Sequence, residues 1–397
     1  MDTTLREAIV INRKTAFSKS LLASAMLLPA FWAIPVSALD CEDTEQVIQR
    51  FEAIAQQLDA PTPAQVLQYQ IPETPEYQAL QSCGDAIIPI AVTYTATAAS
   101  GSGSREVIRS FWLNHPDTGV VFLLEAFEQT ETESEQENLI RAIALITEEH
   151  HRLQSPSLTE SMLSGLDHPN PQVRVAALRV LASFADPELV APIITAIKDE
   201  PLPPPTSSSS ESLPIRRPSI PIRQRMITAL VRSPSAAIVI PEILDLISTA
   251  PDWGVYATLI SSLDWLVDEE HPQFDSTLEL LADIVLQDDR EAAAFNAVLT
   301  LGSFGGTAQS TIPALVEALQ TPDLDPLAKE QLPYTLIYIG EDLIANIDRL
   351  SSEEIAVLLP LYEQALESVA VADLESQAEQ AVFANILQTL RQNQFND

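Results

Sequence analysis

The chain has 397 residues and carries 21 Lys and Arg against 56 Asp and Glu, a net charge of −35 at neutral pH. Nucleic acid and anionic lipid head groups must both be neutralised by Lys and Arg, so a pI near 4.2 excludes them as expected partners. An apolar content of 46% and a mean hydropathy of +0.09 exclude wholesale disorder.

Residues 1–38 carry Arg6, Arg13, Lys14 and Lys19 ahead of an apolar run at 21–38 that ends in Val36-Ser37-Ala38. A basic stretch, an apolar core and small residues at −3 and −1 predict a signal peptide cleaved after Ala38, and hence a secreted, periplasmic or lumenal protein. The rival reading is an uncleaved N-terminal membrane anchor; Pro29 and Pro35 shorten the usable helix and favour processing, with no stable membrane insertion afterwards. A lipoprotein is disfavoured because Asp40 precedes Cys41 where a small residue is needed. Processing leaves 17 basic residues against 54 acids, a net −37, with Lys198 and Lys329 the only lysines. That excess fits either attraction for a basic partner or a salt-adapted surface.

Cys41 and Cys83 are the only cysteines, and an oxidising compartment predicts that they pair. The alternative is two free thiols; a metal site lacks enough soft ligands. Val47, Phe51, Ile54 and Leu58 predict a helix over 44–58, and 71–83 with 84–92 an irregular pair. The β-branched run at 87–99 reads as helix, with a strand as its competitor. SGSGSRE at 100–106 lacks the third glycine of a dinucleotide fingerprint and the Gly-Lys of a phosphate loop, and is read as a loop. Helices are expected over 105–113, 119–129, 138–151 and 158–166.

The most informative stretch is 167–199. Val173, Ala176, Ala177, Val180, Leu181 and Phe184 form one helical stripe, with Asn170 placed to cap it and Pro171 at its first position. Asp186 and Pro187 repeat that start ahead of Val190, Ile193, Ile194 and Ile197. The second stripe recurs as Ile240/Ile243/Leu244/Ile247, Leu278/Leu281/Ala282/Val285 and Ile312/Leu315/Val316/Leu319, and LASF at 181–184 rhymes with LGSF at 301–304. Setting aside an insertion, the spacing is about 36–38 residues, within the range of helical-repeat arrays.

Asp167, Val173, Arg174, Ala176 and Ala177 resemble the HEAT-repeat pattern of a turn acid, Val-Arg and following alanines. The resemblance is strong over 166–199 and moderate over 221–345; it departs at Arg290-Glu291 and Lys329-Glu330, where Val-Arg is expected. It implies an all-α solenoid of paired antiparallel helices, with Asp167 and Arg174 in a polar ladder between repeats. The organisation expected is a signal peptide at 1–38, an atypical helical region or cap at 39–150, repeats at 151–350, and capping helices within 351–397, over 353–369 and 373–391.

Residues 200–220 are too rich in proline and serine to pack, and read as an insertion between repeats. They lead into Arg216, Arg217, Arg223 and Arg225, the densest basic cluster, read either as the edge of a tolerated insertion or as a docking loop for a partner or for the chain's own acidic surface. Trp253, Tyr256 and Trp265 on one helix are expected in the core, with an exposed binding stripe as the alternative.

Catalytic patterns are missing: there is no G-x-S-x-G elbow, and EEHH at 148–151 spreads its ligands about 100° apart around a helix. His115 and His168 precede prolines in turns, and DLD at 323–325 lacks the glycine and closing acid of a calcium loop. No catalytic residue, metal or cofactor is expected. The leading expectation is a non-catalytic protein-interaction scaffold with an acidic concave face for a basic or extended protein partner. Similarity of short helical repeats to bilin lyases and isomerases gives a second reading, which predicted export opposes; a cell-envelope spacer is a third.

Overall fold

A computed structural model describes residues 39–59, 74–98, 102–201, 220–249, 253–287, 292–371 and 377–394. The expected signal peptide, most of the 200–220 insertion with Arg216 and Arg217, and Arg290-Glu291 lie outside the described residues. The described residues hold eighteen α-helices joined by turns and short 3-10 segments, with no strand among them. The chain divides into two compact units, one of residues 1–90 with 101–104, the other of 91–100 with 105–397.

In the first unit, α1 (Thr44–Asp59) buries Val47, Phe51, Ile54 and Ala55, and packs on α2 (Pro75–Ser82), which buries Tyr77 and Leu80. Thr74 caps α2, its hydroxyl accepting from the Tyr77 N–H at 3.2 Å. Cys41 and Cys83 form a disulfide with their Cα atoms 5.6 Å apart, which ties the approach to α1 to the end of α2.

Residues 88–97 are helical (α3, Ile88–Thr97), in spite of their β-branched composition. Thr95 and Thr97 donate their hydroxyls to the carbonyls of Ala91 and Thr93, four residues back, a bond available only in a helix. The loop expected at 100–106 is corrected: α4 (Ser102–Asn114) begins inside it. Gly103 explains why. Its N–H donates to Asp59 Oδ1 at 2.7 Å, and a Cβ there would lie 2.1 Å from the Ala55 carbonyl oxygen, so glycine permits a close approach to α1 as well as a turn.

The second unit continues with α5 (Pro116–Gln129) and α6 (Glu133–Glu149). The latter starts five residues before its apolar stripe, because Glu133 and Glu135 favour the positive end of the helix dipole and carry no hydrophobic signal. Then come α7 (Pro156–Gly165), α8 (Pro171–Ser183), α9 (Val190–Asp199), α10 (Ile222–Val231), α11 (Ile240–Thr249), α12 (Trp253–Leu266), α13 (Phe274–Gln287), α14 (Ala293–Ser303), α15 (Ile312–Leu319), α16 (Pro326–Ala345), α17 (Ser352–Val371) and α18 (Gln377–Asn393). Helices α6, α8, α10, α12, α14, α16 and α18 pack neighbour to neighbour in one row, and α13, α15 and α17 do the same in a second.

Caps and stripes set this packing. Asn170 Oδ1 accepts from Gln172 N, and Asp186 Oδ1 from Glu188 N, at 2.8 and 2.9 Å. Val173, Ala177, Val180 and Leu181 are fully buried, as are Ile240, Ile243 and Ile247, and each large aliphatic side chain removed from water contributes about 2 kcal/mol. The LASF and LGSF rhymes end their helices alike, each followed by a left-handed residue, Ala185 at φ 52° and Gly305 at φ 58°. Buried hydroxyls pin same-row helices: Thr300 Oγ1 donates to Ile260 O at 3.3 Å and Thr335 Oγ1 to Val298 O at 3.0 Å.

Candidate functional site

Of the two residues expected in a polar ladder, Arg174 sits in a local polar cluster and Asp167 is exposed in the preceding turn. Arg174 donates from Nε and Nη2 to the two carboxylate oxygens of Glu200, at 2.7 and 2.6 Å, and from Nη1 to the carbonyls of His168 and Pro169, at 2.8 and 3.0 Å. Glu200 follows α9 directly and its side chain is only 5% exposed. The Arg223 guanidinium, from α10, donates through Nη2 to the carbonyls of Lys198 and Glu200, which places a positive charge on the negative end of α9. One polar cluster thus ties the turn before α8 to the end of α9 and the start of α10. Glu200 was missed in the sequence because it sits at the lip of a proline-rich insertion.

The basic cluster at the insertion therefore divides. Arg223 is buried and structural, whereas Arg225, two residues on, is half-buried and reaches across to α8. There Gln172 Oε1 accepts from Arg225 Nη1 at 2.5 Å and from Arg141 Nη2 at 3.5 Å. Arg141 also pairs with Glu137, and Arg179 forms a two-pronged pair with Glu148, both bonds at 2.6 Å. Burial, then the like charge of Arg141, lowers the proton affinity of Arg225 below the ordinary arginine value; Glu137 acts against this and Arg179 adds to it. Arg179, Arg225 and Arg232 line a cavity of about 740 Å³ whose apolar wall includes Val175, Ile220 and Ala229.

Further along the row of α6, α8 and α10, three large apolar side chains are exposed. Trp265 on α12, Leu299 on α14 and Tyr338 on α16 are 57%, 44% and 59% exposed. Thr300 Oγ1, one residue beyond Leu299, donates to Ile260 O, which sets the second half of α12 beside α14. The expectation that the α12 aromatics share the core is corrected for Trp265. Tyr256 is buried, and nine residues turn a helix by about 180°, so Trp265 must face outward. The Trp253 side chain lies outside the described residues.

The remaining candidates do not gather. In EEHH, Glu148 turns to Arg179 and Glu149 to Arg109, while His150 closes α6. His168 accepts from Asn170 N at Nδ1 and meets Gln136 Oε1 at 3.1 Å through Nε2. His115 stacks on Phe111, and Asp325 caps α16. Among the described residues no three His, Cys, Asp or Glu side chains form a metal-holding group, and no helix is long and apolar enough to cross a membrane.

No protein-family model and no curated protein sequence matches the chain. Solved structures do. The chain is similar to Kap121p bound to RanGTP, at 15% identity and a TM-score of 0.50, with 87% of this chain and 36% of that one covered. Kap121p bound to Ste12p gives 15% identity and a TM-score of 0.50 over 86% and 37% of the two chains. The chain thus spans little more than a third of the length of the proteins it matches. With the paired rows described above, this likeness shows the fold: a HEAT-type α-solenoid.

Proposed function

We propose that this HEAT-type solenoid is a non-catalytic scaffold that binds protein along the outer strip of the α6-to-α16 row. The observation that carries the reading is the run of exposed side chains Trp265, Leu299 and Tyr338 on three successive helices of one row. Trp, Tyr and Arg dominate the binding energy of protein interfaces, and this strip joins an aromatic segment to an arginine-rich one. The solved structures it resembles carry protein partners, RanGTP and Ste12p, on the same kind of fold.

The finer parts of the proposal come from the sequence. The leader at 1–38 supports export, and the net −35 supports a partner that is basic over much of its surface, drawn in by long-range attraction. Crosslinking of the chain in its own compartment, followed by mass spectrometry, tests the proposal. Protein partners crosslinked to the outer strip, and lost from a W265A/Y338A double variant, are the expected result. Unchanged crosslinks in a folded double variant would refute the strip as the binding face.

A further inference from the structure

We infer that the cavity lined by Arg179, Arg225 and Arg232 is a binding site for an oxyanion, a carboxylate or a phosphate, carried on an apolar body. The inference goes beyond the proposed scaffold role and stands on separate observations, and it departs from the chain's overall charge. In a protein with 56 acids and 21 bases, three guanidiniums border one cavity of about 740 Å³. Among the described residues one acid, Glu148, lines it, and both its oxygens are engaged by Arg179. Arg225 instead meets a neutral amide, Gln172, which it shares with Arg141. Arg232 is exposed, and among the described residues it has no hydrogen-bond or ion-pair partner.

With Arg179 matched by Glu148, the two guanidiniums of Arg225 and Arg232 border the cavity with no carboxylate paired to them among the described residues, and they favour an anion from outside. The guanidinium fork suits two-pronged recognition of carboxylate or phosphate oxygens. Val175 and Ala229, one turn from Arg179 and Arg225 on the same helices, and Ile220 add an uncharged apolar lining that would take the apolar part of the ligand. Arg225 is half-buried, so its charge is less screened there than at an open surface.

Calorimetric titration of the full chain tests the site with phenylacetate and phenyl phosphate, against neutral phenylacetamide and inorganic phosphate. Binding of at least one aromatic anion is expected, weakening as salt is raised, with phenylacetamide bound at least about tenfold more weakly. The stronger of the two anions tells carboxylate from phosphate, and inorganic phosphate reports what the apolar wall contributes. Arg225→Gln and Arg232→Glu should each weaken binding about ten- to a hundredfold. Arg232→Glu lies at an exposed position, so its fold is kept, and circular dichroism checks both variants. Equal binding of phenylacetate and phenylacetamide, no binding by either aromatic anion, or unchanged affinity in Arg232→Glu would overturn the inference. Anion binding without protein crosslinks on the strip would refute the scaffold reading alone; crosslinks without anion binding would refute this inference alone.

Discussion

Arg174 and Glu200, 26 residues apart, meet through two charge-assisted hydrogen bonds of 2.7 and 2.6 Å at the junction of three helices. Both side chains are largely shielded from water, at 16% and 5% exposure, so each depends on the other for its solvation. Removing one partner of such a pair strands the other charge. Glu200→Ala is expected to destabilise the second unit by about 3 kcal/mol, read as a lowered denaturant midpoint. A loss comparable to that of an exposed pair, below about 1 kcal/mol, would show the pair to be peripheral.

The Cys41–Cys83 bridge closes a loop with a sequence separation of 42 residues. On the chain-entropy account this stabilises the first unit by about 4 kcal/mol. Adding a reductant should raise hydrogen exchange across Thr44–Asp59 while leaving Pro171–Ser183 unchanged. Equal exchange before and after reduction would remove the bridge as a stabilising element.

Gly340 lets α16, α17 and α18 converge. A Cβ at this position would lie 2.6 Å from Ile386 Cδ1 and 2.8 Å from the Tyr362 hydroxyl. Tyr362 is fully buried with its hydroxyl donating to the Leu336 carbonyl, and burial pushes its pKa up. Gly340→Ala should cost about 1–3 kcal/mol by overpacking, measured by chemical denaturation. Stabilisation, the ordinary result of replacing a helical glycine by alanine, would show that the neighbours give way.

Ala185 occupies the left-handed conformation that Gly305 occupies after the matching LGSF helix. An L-residue there bears a strain of about 1 kcal/mol, so Ala185→Gly is expected to stabilise the protein in spite of the added chain freedom. A lower melting temperature in that variant would contradict this.

Burial raises the pKa of Asp264, and hydrogen bonds led by the one from Ser303 act in the opposite direction. The folded chain therefore holds this proton to higher pH than the unfolded chain does. The favourable contribution is complete below the unfolded value near ~3.9 and is lost as pH rises through the folded one. Asp264→Asn should accordingly melt above the parent at pH 7, with the difference closing near pH 3; a difference independent of pH would contradict the assignment.

Much of the fold was legible because its signals are local. The stripe from Val173 to Leu181 and the caps at Asn170 and Asp186 each lie within one helix and its turn, where period and hydrogen-bonding chemistry speak directly. Signals that depend on distant neighbours were not legible. Gly103 spells a loop until Ala55 is placed against it, and Glu200 looks like linker until Arg174 and Arg223 surround it. Trp265 is an intermediate case: its half-turn offset from Tyr256 was present in the sequence, but its exposure follows from which side of α12 the neighbouring helices cover. The arginine cavity was half visible, since Arg225 stood out while Arg179 comes from a helix farther back in the chain.

The hydroxyls of Thr300 and Thr335, each bonded to a main-chain carbonyl of the preceding helix in the row, bear on mechanics. Sliding one helix along the next by a turn would break these buried bonds at about 1–3 kcal/mol each, whereas a small change of tilt keeps them. The row is thereby stiff against shear and compliant to bending. Trp265, Leu299 and Tyr338 are thereby held in fixed axial register along the row, and a partner docked on them as proposed would be read by that register as well as by chemistry.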